Sequence, residues 1–146
     1  MTTKQEHETT GTARRGAHQM SGRGVVFRVE GEVQSLRHDL EFTSGGRAAR
    51  TLAKTAGLRV TLVLIKKDFG LNPEATAGGA SIEVLAGRVR VHAGGEPWDV
   101  GSGELIVLGD NLREPITAIE ETAFLLTVAW PVGAGAREQE MSGGHV

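Results

Sequence analysis

The 146-residue sequence predicts an all-β fold, a sandwich or a closed barrel, preceded by a short helix. Three observations predict it. About eight short apolar runs recur at roughly 8–12-residue spacing, the rhythm of successive antiparallel strands. The chain has 21 glycines, and many of them fall between those runs, where tight turns are needed. Near the N-terminus, a short stretch carries apolar residues three and four apart instead, which is the period of a helix.

Taken in order, residues 1–24 are polar and almost free of large apolar side chains, so they cannot offset their own ordering entropy and read as a disordered tail. Lys4, Arg14, Arg15 and Arg23 against Glu6 and Glu8 give the tail a formal charge of +2 (four minus two). Scattered cations without aromatics indicate a solvated tail, not a nucleic-acid arm. Residues 25–47 form an extension. Val25–Val29 reads as a short strand, and Glu32–Glu41 (EVQSLRHDLE) as an amphipathic helix whose stripe is Val33, Leu36 and Leu40. Ser44-Gly45-Gly46 ends it.

From Ala48 the period becomes two. Leu58–Lys67 (LRVTLVLIKK), apolar on both faces in its middle, reads as a strand in the centre of a sheet. Phe69–Gly79 is a loop. Ser81–Leu85 and Arg88–His92 are strands about an Ala86-Gly87 turn, with Val89 and Val91 on a buried face and Arg88, Arg90 and His92 on a wet one. His92 is therefore read as an exposed strand histidine in preference to a ligand. Pro97–Val100, Glu104–Leu108 (ELIVL, read as buried), Ile116–Ile119 and Ala123–Trp130 complete the series. In the last, Phe124, Leu126 and Val128 face one way and Leu125, Thr127 and Ala129 the other. The barrel is placed at 48–131 and a flexible C-terminal tail at 132–146.

Composition excludes several classes. With no cysteine, disulfides, thiolate metal sites and cysteine nucleophiles are ruled out, and a reducing cytoplasm is favoured. A net charge of −2 gives no electrostatic case for nucleic acid or an anionic membrane. No apolar run approaches the ~18 residues of a membrane helix. Arg14-Arg15 is followed by GAHQMSGRG, which lacks the apolar region of an export signal.

The frame GGASIEVLAGRVRV, a GG turn, GSGELIVL and a final strand ending LLTVAW resembles the cupin superfamily, specifically its small single-domain members, over about Ala48–Trp130. The resemblance implies a double-stranded β-helix, a jelly-roll barrel, with a short N-terminal helix. It also implies where a metal would be held. Anchoring the last glycine of the family's first motif (a Gly, then H-x-H-x3-4-E-x6-G) on Gly87 puts its glutamate at Ala80 and, with the shorter gap, its histidines at Glu74 and Thr76. Anchoring the second, G-x5-P-x-G-x2-H-x3-N, on Gly103 puts its histidine at Glu114. None of the four positions is a histidine, so every metal-dependent activity of the family is in doubt, and no metal or other cofactor is expected.

The resulting expectation is a metal-free, small-molecule-binding or sensor-like barrel whose mouth carries Glu74, Thr76, Ala80 and Glu114. The alternative is an enzyme in which Glu74 and Glu114 act as an acid–base pair, their pKa values parted by burial and like charge, or ligate a weakly bound hard divalent ion. Arg113 stands ready to pair with either carboxylate. A homodimer is expected, with Val25–Val29 or the early strands available for exchange between protomers. Trp98 and Trp130 are assigned to packing in preference to ligand stacking. GRAARTLAK (Gly46–Lys54) is read as a solvated strand edge, and Lys66-Lys67 as cations that blunt an exposed edge. No Ser-His-Asp arrangement and no dinucleotide fingerprint is present.

Overall fold

The computed structural model describes residues 18–19, 24–73, 78–109 and 114–129. Two helices, α1 (Val29–Arg37) and α2 (Leu40–Gly45), precede most of the strands. The strands are β1 (His18–Gln19), β2 (Arg47–Lys54), β3 (Leu58–Ile65), β4 (Gly70–Leu71), β5 (Ala80–Ala86), β6 (Arg88–Ala93), β7 (Glu96–Gly101), β8 (Leu105–Leu108), β9 (Ile116–Ala118) and β10 (Thr122–Ala129). They form a six-stranded sheet of order β1-β2-β3-β10-β5-β8 and a four-stranded sheet of order β4-β9-β6-β7. The two sheets face each other as a jelly roll.

Side-chain alternation along each strand sorts the large sheet into two faces. Val63, Ile65, Ile82, Val84, Phe124, Leu126 and Val128 point inward and meet Val89, Val91, Val100, Ile116 and Ala118 of the small sheet. Leu52, Leu62, Leu64 and Ala123 point outward and are capped by Val33 and Leu36 of α1 and Phe42 of α2. The central assignment of Leu58–Lys67 is thus borne out: its apolar residues serve two cores, one inside the barrel and one beneath the helices. The alternation read for Ala123–Trp130 holds as well over β10.

Gly87 hands the chain from one sheet to the other. Its φ of +96° suits glycine, and a Cβ there would collide with the Glu121 carbonyl oxygen. Thr122, buried beside it, accepts a hydrogen bond from the Arg88 amide at 3.0 Å and donates to a neighbouring carbonyl. The turn and the start of β10 are fastened together this way.

Several expectations are corrected. Val25–Val29 is not a strand: exposure still alternates along it, but it has no ladder partner in either sheet, and Phe27 and Val29 pack onto the outer core instead. The single helix at Glu32–Glu41 is two helices, broken at His38-Asp39. The break leaves Leu40 73% exposed and buries Phe42 to 4%; an aromatic ring buries more area than the leucine it replaces. The tail read as disordered contains β1, which pairs in parallel with Ala53 and Lys54; the rest of 1–23 and all of 130–146, Trp130 included, lie outside the described residues. GRAARTLAK is a solvated edge only in part: Arg47 and Ala49 are exposed, but β1 pairs with Ala53 and Lys54, and Arg50 reaches under α1. There it contacts Glu32 at 3.0 Å and Ser35 at 3.3 Å, so the buried Glu32 carboxylate is paired. Lys66 does not guard an edge: its ammonium donates to the Thr43 carbonyl at 3.2 Å and sits 5.3 Å from the Phe42 ring centroid. Glu104–Leu108 is not a buried strand, because β8 ends the large sheet and leaves Leu105 58% and Val107 69% exposed.

The split helix makes a sharp test. Leu36→Ala should lower unfolding free energy by about 2–5 kcal/mol, the cost of a large-to-small change in a packed core. Leu40→Ala, from the same sequence stripe, should stay within about 0.5 kcal/mol, as for an exposed position. Urea denaturation of both variants decides, and equal losses would place Leu40 in the core.

Candidate functional site at the open side of the barrel

The pairing register lays the inner face of the large sheet out in transverse rows. One row runs Lys54, Arg59, Val128, Ala80, Leu108 across β2, β3, β10, β5 and β8. The next runs Thr51, Thr61, Leu126, Ile82, Ile106. A third runs Ala49, Val63, Phe124, Val84. In each of the first two, the β10-β5-β8 side is apolar and the β2-β3 side is polar. Arg59, Thr61 and Thr51 are all half-buried.

The barrel is open at the β2 end of the third row. Ala49 is exposed although it shares the inner face with the buried Val63. A cavity of about 410 Å³ lies there, lined by Glu41, Gly45, Arg47, Ala48, Ala49, Val63 and Leu71. Its volume falls in the range that holds small ligands, about 300–1,000 Å³. Arg47 spans the gap between β2 and β4 by donating from Nη1 to the Gly70 carbonyl at 2.9 Å. A second cavity of about 400 Å³ separates α1 from the outer sheet face beside Leu85 and Ala123. Glu30, Gln34 and Arg37 also line it, and Arg37 is held by Glu121 at 2.6 Å.

The opposite face of the molecule is solvated. On the outside of the small sheet Arg90 forms a fork with Asp99 at 2.8 and 3.1 Å. The hydrogen bond from Arg90 holds the Asp99 carboxyl below the usual carboxylate range. His92, expected to be exposed, is half-buried beside this pair, and its Nδ1 is enclosed without a hydrogen-bond partner. Trp98 is not packed as expected: it is half-exposed, with Nε1 donating to the Ala93 carbonyl at 3.3 Å.

Against this geometry stand the solved structures that share it. A conserved Streptococcus pyogenes protein of unknown function matches with a TM-score of 0.56 at 20% identity, over 80% of this chain and 95% of its own. A cupin superfamily protein from Desulfitobacterium hafniense matches with a TM-score of 0.54 at 12% identity, over 57% of this chain and 77% of its own. The chain has the cupin fold. Salicylate 1,2-dioxygenase from Pseudoaminobacter salicylatoxidans also shares the fold, with a TM-score of 0.61 at 15% identity, and this cupin domain spans 36% of its length. No family model matches the sequence, and no curated protein does.

Of the four positions that correspond to cupin metal ligands, the structure describes two. Ala80 opens β5, buried in the inner core, and has no donor atom. Glu114 lies on the bend before β9 and is exposed. Glu74, Thr76 and Arg113 fall outside the described residues. Among the described residues no three His, Asp or Glu side chains converge as a metal site would require. The donor set on view does not fit the family's metal. Arg47 and Ala49 were missed as cavity residues because GRAARTLAK was read as a solvated edge, and Val63 because Leu58–Lys67 was read for burial.

Proposed function

We propose that this cupin domain binds a small organic molecule on the inner face of β2 and β3, without the metal that many cupins carry. The observation that carries the reading is the cavity of about 410 Å³ at the opening between β2 and β4. Its apolar lining of Val63 and Leu71 supplies burial, and Glu41 and Arg47 in the same lining supply an acceptor and donors. The carboxylate pair of the alternative reading gains no support here, since Glu114 is exposed.

Ala49→Trp tests the site directly, because the indole fills the cavity from an exposed inner position. Ligands found by screening small organic molecules for a rise in melting temperature should lose at least about tenfold in affinity in the variant, as sterically blocked sites do. Unchanged affinity would move the site elsewhere.

The homodimer belongs to the same reading, in a form that needs no strand exchange. Leu105 and Val107 lie exposed on the unpaired edge strand β8, an arrangement that invites pairing with a second copy across a two-fold axis. Val107→Lys should yield a folded monomer by light scattering. A dimer that survives the substitution would exclude this edge.

A further inference from the structure

Resting on the binding site proposed above, we infer that its ligand is a small zwitterion with an apolar body, the chemistry of an aliphatic α-amino acid. The ligand's ammonium meets Glu41 and its carboxylate meets Arg47.

The two charges reach the cavity from different elements. Glu41 and Gly45 lie one helical turn apart on α2, so they share a face of that helix, and both line the cavity. Phe42, the next residue, turns to the outer core instead. Arg47 opens β2 and pairs with Ile65, which points into the barrel. Arg47 therefore stands on the inner face, two residues before Ala49, and lines the same cavity. Among the described residues no other charged side chain does.

The capacity of both groups is accounted for. Arg47 donates from Nη1 to the Gly70 carbonyl at 2.9 Å. A guanidinium carries five N–H donors in a fixed fork, so donors remain for a ligand. A neutral carbonyl also leaves the positive charge uncompensated. Arg37, Arg50 and Arg90 each have a carboxylate partner; among the described residues Arg47 has none. Nor does the Glu41 carboxylate form an ion pair or accept a hydrogen bond among them. Opposite charges thus share one cavity without being joined to each other.

That arrangement selects by charge pattern. The lining is formally neutral, so a simple anion gains from Arg47 what it loses to Glu41, and a simple cation the reverse. A molecule that carries both charges gains from both. Buried Val63 and half-buried Leu71 then receive its apolar portion, while Gly45 and Ala49 leave room for it.

Leucine, isocaproate and isopentylamine make the test set. They share an aliphatic body; isocaproate lacks the ammonium and isopentylamine lacks the carboxylate. Each is titrated at neutral pH and low ionic strength and followed by protein NMR. Leucine should bind at least about threefold more tightly than either singly charged probe, the size of a partly exposed ion pair, and added salt should narrow both gaps. Arg47→Gln should abolish the preference over isopentylamine and keep that over isocaproate. Glu41→Gln should do the reverse. Arg47→Lys, which keeps the charge and loses the fork, should retain part of the preference. Thermal melts accompany each variant; should Arg47→Gln fail to fold, the wild-type ratios and Glu41→Gln decide. Equal binding of the three probes, or preferences that persist in both Gln variants, overturns the inference while leaving a small-molecule site in place. Binding of none of them also overturns it, and the cavity itself is then judged by the screened ligands and Ala49→Trp.

Discussion

Everything in this molecule depends on one sheet being buried on both faces. β3 and β10 lie at its centre, and each alternates between two apolar cores: Val63, Ile65, Phe124 and Leu126 inside the barrel, and Leu62, Leu64 and Ala123 under the helices. A slip of one residue in either strand would exchange the cores and turn every side chain to the wrong face. The register is thus strongly determined, and the transverse rows that define the site inherit that determinacy. The helices are the outer cover of this sheet, and Arg50 with Glu32 ties them to β2 where the apolar surface ends.

The site arises where that double burial stops. At the β2 end of the third row the small sheet no longer covers the inner face, as the exposure of Ala49 beside Val63 shows. A packed barrel interior has no room for a ligand; the opening beside Ala49, lined also by Glu41 and Arg47, does. The donor chemistry points the same way. Transition-metal sites in barrels need several neutral or anionic donors aimed at one point. Here an alanine occupies one such position and an exposed glutamate another. Shared fold with metal enzymes carries no activity by itself, since function is set by the site.

Much of the fold was legible in the sequence because period-two alternation and glycine turns are local signals. LVLI, SIEVL, RVRV and FLLTV each declared a strand, and glycine at 87 and 103 marked turns whose positive φ the structure confirms. What was illegible depended on partners far along the chain. Val25–Val29 alternates like a strand but meets no neighbour, so tertiary context and not propensity decided it. Leu40 matched the helical stripe, yet Phe42 won the buried place. ELIVL looked buried because composition cannot tell a central strand from an apolar edge. The candidate site was illegible for a related reason. Arg47 and Gly70 are 23 positions apart in sequence, and only the bridge between β2 and β4 reveals that they flank one opening.

The central claim is the proposed one, that this barrel binds a small organic molecule without a metal at the positions where cupins hold one. The most direct measurement is the metal content of untagged protein, by mass spectrometry, after equilibration with Mn²⁺, Fe²⁺, Ni²⁺ and Zn²⁺ and exhaustive dialysis. The account predicts far less than one equivalent of any of them. About one equivalent of bound metal, lost on changing Glu114→Ala, would contradict it.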